Sequence, residues 1–150
     1  MGDIVVGVGL LLFSRGQILT VRELENKPQY HKQVGMLSFP FETFEKEDRN
    51  TKGTLVRLLK EELGLSKKEV KIWGICPKIF NPIPKREDIR IYYGAASFLG
   101  DPHRTFQPES TNVEIFGWLT PTCLYEADPR RVEVRPILED FTLRIQADFA

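Results

Sequence analysis

The run Thr51-Lys52-Gly53-Thr54-Leu55-Val56-Arg57-Leu58-Leu59-Lys60-Glu61-Glu62-Leu63-Gly64-Leu65 reads as one amphipathic helix and its stop signal. Asn50 suits the N-cap, because its side-chain oxygen can accept a free N–H of the first turn. Gly64 suits the left-handed position that ends a helix. With Leu55 at zero and about 100° per residue, Leu59 lies at about 40°, Leu63 at about 80°, Val56 at about 100° and Leu58 at about 300°. These residues define the buried face. Glu62 falls at about 340°, inside the apolar stripe, while Glu61 lies at about 240° on its edge, near Arg57 at about 200°. A buried carboxylate is costly unless it is paired, hydrogen-bonded or bound to a metal. Two readings are open: Glu62 meets a backbone amide or a lysine, or Glu61 and Glu62 together attract an oxygen-seeking divalent cation.

Outward from this helix, the chain alternates apolar runs with polar turns. Ile4–Phe13 and Ile18–Leu24 are expected as a hairpin around Ser14-Arg15-Gly16-Gln17. Met36–Phe39 is expected as a short strand ending at Pro40, and Val70–Phe80, Ile89–Leu99 and Val113–Leu119 as further strands. A second helix begins near Pro136, with Ile137, Phe141 and Ile145 recurring every four residues. Two helices separated by several strands predict an α/β fold, a mixed-sheet sandwich, in a single domain over residues 1–150.

Composition narrows the function classes. Lys and Arg total 21 and Asp and Glu total 21, so the formal net charge is zero, which disfavours a coat for nucleic acid or anionic membrane. No apolar run reaches the length of a bilayer span, and Ile4–Phe13 follows Asp3 without a basic flank, so it reads as a strand rather than a signal peptide. Cys76 and Cys123 lack metal-site spacing and are expected as reduced core thiols, which places the protein in the cytoplasm.

Arg57-Leu58-Leu59-Lys60-Glu61-Glu62-Leu63-Gly64-Leu65 resembles the end of the Nudix box, G-x5-E-x7-R-E-U-x-E-E-x-G-U, where U is a bulky aliphatic. Arg57, Leu59, Glu61, Glu62, Gly64 and Leu65 are in register. Pro40 is similar to the proline of the loop that opens the box. Trp118 with Leu124 is similar to the family's later strand-and-turn segment. The order of elements also resembles the Nudix α/β/α sandwich with its mixed sheet. Three departures stand out. Phe41-Glu42 occupies the place of a glycine pair, and Asp48 is the nearest match to the first box glutamate, with eight residues instead of seven before Arg57. Leu58 replaces the glutamate that follows the arginine. It lies one turn before Glu61 and Glu62, so a carboxylate there is expected to stack near both.

The resemblance implies hydrolysis of a nucleoside diphosphate linked to another moiety, with Mg²⁺ or Mn²⁺. It implies catalytic roles for Arg57, Glu61 and Glu62 and a metal held by Glu61 and Glu62, with Asp48 or Glu42 replacing the ligand missing at Leu58. Arg57 is expected to pair with an acid such as Asp48 and fix the loop to the helix. The implied partner is a small nucleotide diphosphate, with neither membrane nor stable nucleic-acid complex, and a homodimer is allowed. The alternative is a catalytically inactive Nudix-fold domain that binds a nucleotide or a protein. Tyr30, Lys85 and Arg86 are candidates for substrate contact, Lys85 and Arg86 beside Tyr92 and Tyr93 or else on a solvated hairpin tip. Glu114 and Glu133 are both candidates for a general base. Gly7-Val8-Gly9 lacks the third glycine and following helix of a dinucleotide fingerprint, and His31 and His103 read as surface residues.

Overall fold

The computed structural model describes residues 3–144. Seven strands form one mixed sheet: β1 (Val5–Ser14), β2 (Gln17–Glu23), β3 (Leu37–Ser38), β4 (Phe41–Thr43), β5 (Val70–Ile75), β6 (Ile89–Phe98) and β7 (Val113–Leu119). Three α-helices accompany them: α1 (Thr51–Leu63), α2 (Pro121–Glu126) and α3 (Val134–Thr142). The sheet runs β3-β2-β1-β6-β5, with β4 also on β1 and β7 also on β2. β1 is parallel to β6 and antiparallel to β2 and β4.

β1 carries no polar side chain from Val5 to Phe13 because both of its faces are covered. Val8, Leu10 and Leu12 join Leu55, Leu58, Leu59 and Leu63 of α1 in one core. Leu11 joins Phe39, Tyr93, Leu124, Ile137 and Leu138 in the other, under α2 and α3. The result is the expected α/β/α sandwich.

The sheet forks in a way that opens a cleft. β2 pairs with β1 only at Phe13↔Ile18 and Ser14↔Gln17. Beyond the hairpin it leaves to pair with β3 and β7, and β4 takes its place on β1 at Gly7–Gly9. Gly9 permits this close approach: a Cβ there would stand 2.7 Å from Phe41 Cε1. The Gly7-Val8-Gly9 segment is therefore strand, as its lack of a following helix implies.

Element boundaries differ from expectation in several places. The strand from Val70 ends at Ile75 rather than Phe80, after a register shift between Ile72 and Gly74. β4 and α2 were not expected, since three residues and six residues are too short to show a period. Cys76 is buried but Cys123 is exposed on α2, so only the first is a core thiol; both are free. Ile145 lies outside the described residues. Among the described residues no helix is long and apolar enough to cross a membrane.

Candidate active site

α1 begins and ends as its sequence dictates. The Asn50 side chain accepts from Gly53 N–H at 2.8 Å, and Gly64 adopts φ 68°. The loop after β6 docks on this end: Glu109 N–H and Ser110 N–H donate to the Glu61 carbonyl at 2.7 and 2.9 Å. Trp118 Nε1 donates to the Pro102 carbonyl at 2.7 Å and holds the start of the same loop.

Glu62 is 7% exposed, inside the apolar stripe where the helical wheel places it. It lines the cleft in the sheet fork together with Glu42. Both also line a shallower recess bordered by Glu61, Glu109, Ser110 and Asn112. Burial pushes the Glu62 carboxyl up to about 7, reinforced by the charge of Glu42 and opposed by a hydrogen bond with Ser110. Burial likewise pushes Glu42 up to about 7, with a hydrogen bond to Glu61 acting in the same direction and Arg57 against it. β4 carries Glu42 alongside α1, so the loop folds back over the helix.

Arg57 is the hub of this wall. Its Nε and Nη2 donate to the two Asp48 oxygens at 2.9 and 3.0 Å, and Nη2 also donates to the Thr43 carbonyl at 2.5 Å. Nη1 donates to Glu61 at 3.1 Å and stands 3.3 Å from Glu42. Asp48 also accepts from Thr54 Oγ1 and from Glu45 N–H. The Arg57 guanidinium holds the Asp48 carboxyl down at about 2. Asp48 thus faces Arg57 rather than the three glutamates. Leu58 is fully buried and lines neither cleft nor recess.

Tyr30 lines the cleft from the loop after β2, whereas Lys85 and Arg86 do not. Lys85 is exposed on a tight turn, and Arg86 pairs with Asp88 at 2.9 Å. Tyr93 is buried and donates to Asp140 at 2.7 Å, so it does not stand beside Lys85 and Arg86 as a surface aromatic. Glu133 lines the cleft; Glu114, on β7, pairs with Arg22 of β2 and does not line it. His31 and His103 are exposed. Sequence reading missed Glu23 and Arg131, which line the cleft with Lys32 and Glu133. They come from separate segments with no shared spacing. One signal was present: by strand alternation Glu23 shares a face of β2 with the apolar Leu19 and Val21, and all three are buried.

Among the described residues no three His, Cys, Asp or Glu side chains form a ready-made metal cage. The donor set nevertheless suits a hard divalent cation. Glu42, Glu61 and Glu62 offer only carboxylate oxygens around one recess. Mg²⁺ and Mn²⁺ keep several waters and need few protein ligands, so an open arrangement of this kind fits them.

The NUDIX domain profile matches residues 3–141. The chain belongs to the Nudix family. Solved structures share the fold at low identity. The MutT protein from Methanosarcina mazei Go1 is 17% identical with TM-score 0.65, covering 94% of each chain. An ADP-ribose pyrophosphatase from Streptococcus suis is 19% identical with TM-score 0.60, covering 95% of this chain and 94% of its own. The NUDIX domain of Shewanella oneidensis NrtR, complexed with ADP-ribose, is 14% identical with TM-score 0.62, covering 96% of this chain and 89% of its own. No curated protein matches the sequence significantly.

Proposed function

We propose that this Nudix chain is a single-domain, divalent-cation-dependent hydrolase that cleaves the diphosphate of a nucleoside diphosphate linked to a further group. The observation that carries the reading is the meeting of Glu42, Glu61 and Glu62 at one recess that opens beside the cleft. The similar fold of the Streptococcus suis ADP-ribose pyrophosphatase supports this substrate class.

Glu61 and Glu62 would hold Mg²⁺ or Mn²⁺, with Glu42 replacing the carboxylate lost at Leu58. When bound, the cation neutralises diphosphate oxygens and lowers the pKa of a bound water. Arg57 supplies position: it ties Asp48, the Thr43 carbonyl and Glu61 together, so β4 and α1 present Glu42 and Glu61 at a fixed separation. Burial of Glu62 favours cation binding, because its charge gains little from water. Tyr30 closes the cleft on the substrate side. The two free thiols accord with a reducing compartment, and we place the protein in the cytoplasm.

One observation favours a second reading, a non-catalytic nucleotide-binding or protein-binding domain. Leu58 is sealed in the helix–sheet core at the position of a box glutamate. A screen of nucleoside diphosphate derivatives with Mg²⁺ or Mn²⁺, reading phosphate or nucleotide release, separates the two. The hydrolase reading expects cation-dependent release from at least one compound. Nucleotide binding without release under any cation favours the second.

A further inference from the structure

A separate recess gathers basic side chains. Arg130, Arg131 and Arg135 line it together with Gln33, Met36 and Asp128. It shares no residue with the recess of Glu42, Glu61 and Glu62, and only Arg131 with the cleft. The segment that carries the arginines is pinned to β3: Leu37 N–H donates to the Pro129 carbonyl and Arg131 N–H to the Leu37 carbonyl, both at 3.0 Å. The Arg131 charge is already answered, by Glu23 at 3.2 Å and Glu133 at 3.0 Å. Those of Arg130 and Arg135 are not. Arg130 Nη1 donates to the Ala127 carbonyl at 2.9 Å, and Arg135 Nε to the Tyr125 carbonyl at 3.0 Å. The Arg135 guanidinium also lies 4.7 Å over the Tyr125 ring. Capping the C-terminal end of α2 thus fixes both guanidiniums and uses one N–H of each. Among the described residues Arg130 pairs with no carboxylate. Arg135 meets Glu126 at 3.9 Å, and Glu126 is 68% exposed, so that pair adds little. Asp128, the one acid on this lining, is exposed and screened by solvent.

We propose that this recess binds a phosphate monoester. Two fixed guanidiniums with N–H donors to spare suit an oxyanion that takes paired contacts. A carboxylate brings one charge, whereas a phosphate monoester brings nearly two and matches two unanswered arginines. Arg130 and Arg135 donate to the terminal oxygens, and the Gln33 amide adds an uncharged donor on the same lining. The inference stands apart from the hydrolase reading, since neither a cation nor any of Glu42, Glu61 and Glu62 takes part. The monoester arrives as a small free phosphate or as the far end of a ligand that passes Arg131 into the cleft; the chemistry of capture is the same.

The test is an NMR titration of the unmodified protein with methyl phosphate, without divalent cations, following the arginine Nε–H signals. Those of Arg130 and Arg135 shift and saturate, while those of Arg22 and Arg104, which pair with Glu114 and Glu69, stay in place. No shift, a parallel drift of all these signals, or equal shifts with acetate would each overturn the proposal. Arg130→Gln and Arg135→Gln each weaken methyl phosphate about tenfold or more. Unchanged affinity in the folded double variant would contradict the site, and if a variant does not fold the shifts in the unmodified protein still decide. Glu62→Gln leaves methyl phosphate binding as it was; its loss there would put the phosphate in the cleft and sink the proposal. ADP-ribose 2′-phosphate separates the two sources. Binding well above that of both methyl phosphate and ADP-ribose assigns the recess to the far end of a cleft ligand. Binding equal to that of methyl phosphate assigns it to a free phosphate.

Discussion

Arg57 joins three segments through one guanidinium: Asp48 from the loop, the Thr43 carbonyl from β4 and Glu61 from its own helix. Because Arg57 holds Asp48 at about 2, below the ordinary aspartate range, the unfolded chain binds this proton more readily than the folded one. Asp48 therefore stabilises the fold above about pH 4, and that stability is lost as pH falls towards 2. Solvent screening at the rim limits the effect to about 1–2 kcal/mol. Urea unfolding between pH 6 and pH 2.5 should show this loss in the unmodified protein and not in Asp48→Asn. Leu58 makes a second residue-scale case. Leu58→Glu puts a charge into a sealed apolar core and should cost on the order of 3–5 kcal/mol. Since Leu58 lines neither the cleft nor the recess, Mn²⁺ should not restore the lost melting temperature. Glu62 and the Arg57–Asp48 pair were legible in the sequence, because helical spacing and charge pairing act over one or two turns. Glu23 and Arg131 were not, because the fork of the sheet and not local spacing brings them together.

α1 and the turn before it act as one unit, and Gly53 shows why. A Cβ at Gly53 would stand 2.1 Å from the Asp48 carbonyl oxygen, which is backbone and cannot swing aside. Helix propensity alone favours alanine over glycine by about 1 kcal/mol. Here the clash wins. Gly53→Ala should destabilise the protein by about 2 kcal/mol or more and loosen the Asp48–Arg57 pair. Denaturant midpoints check the sign, and a stabilised variant would mean that the turn does not lie against the helix. Glycine weakens a helix by its freedom alone, and nothing local in the sequence shows that backbone occupies the space beside Gly53. The helix Thr51–Leu63 was readable because its apolar residues recur with a helical period. β4 was not, although its three residues place Glu42 in the site. Its pairing with β1 depends on the missing side chain of Gly9, a tertiary fact.

At the scale of the whole molecule, two packed cores hold the sheet while the fork between β2 and β4 leaves a cleft edged by carboxylates. The sandwich was visible from the order of elements, since apolar strands with two amphipathic helices have few ways to bury their faces. A cation that binds only the folded state should stabilise this assembly by about 2.7 kcal/mol at a hundredfold excess over its dissociation constant. For a chain of this size that is a rise of roughly 5–10 °C in melting temperature. The most direct measurement of the central claim is a calorimetric titration of Mn²⁺ into the unmodified protein and into Glu62→Gln, which keeps the shape of the side chain and removes its charge. The account predicts binding to the first and at least about a tenfold loss, close to 1.4 kcal/mol, in the second, with both proteins folded. Equal affinity in the two would contradict a cation site built on Glu62.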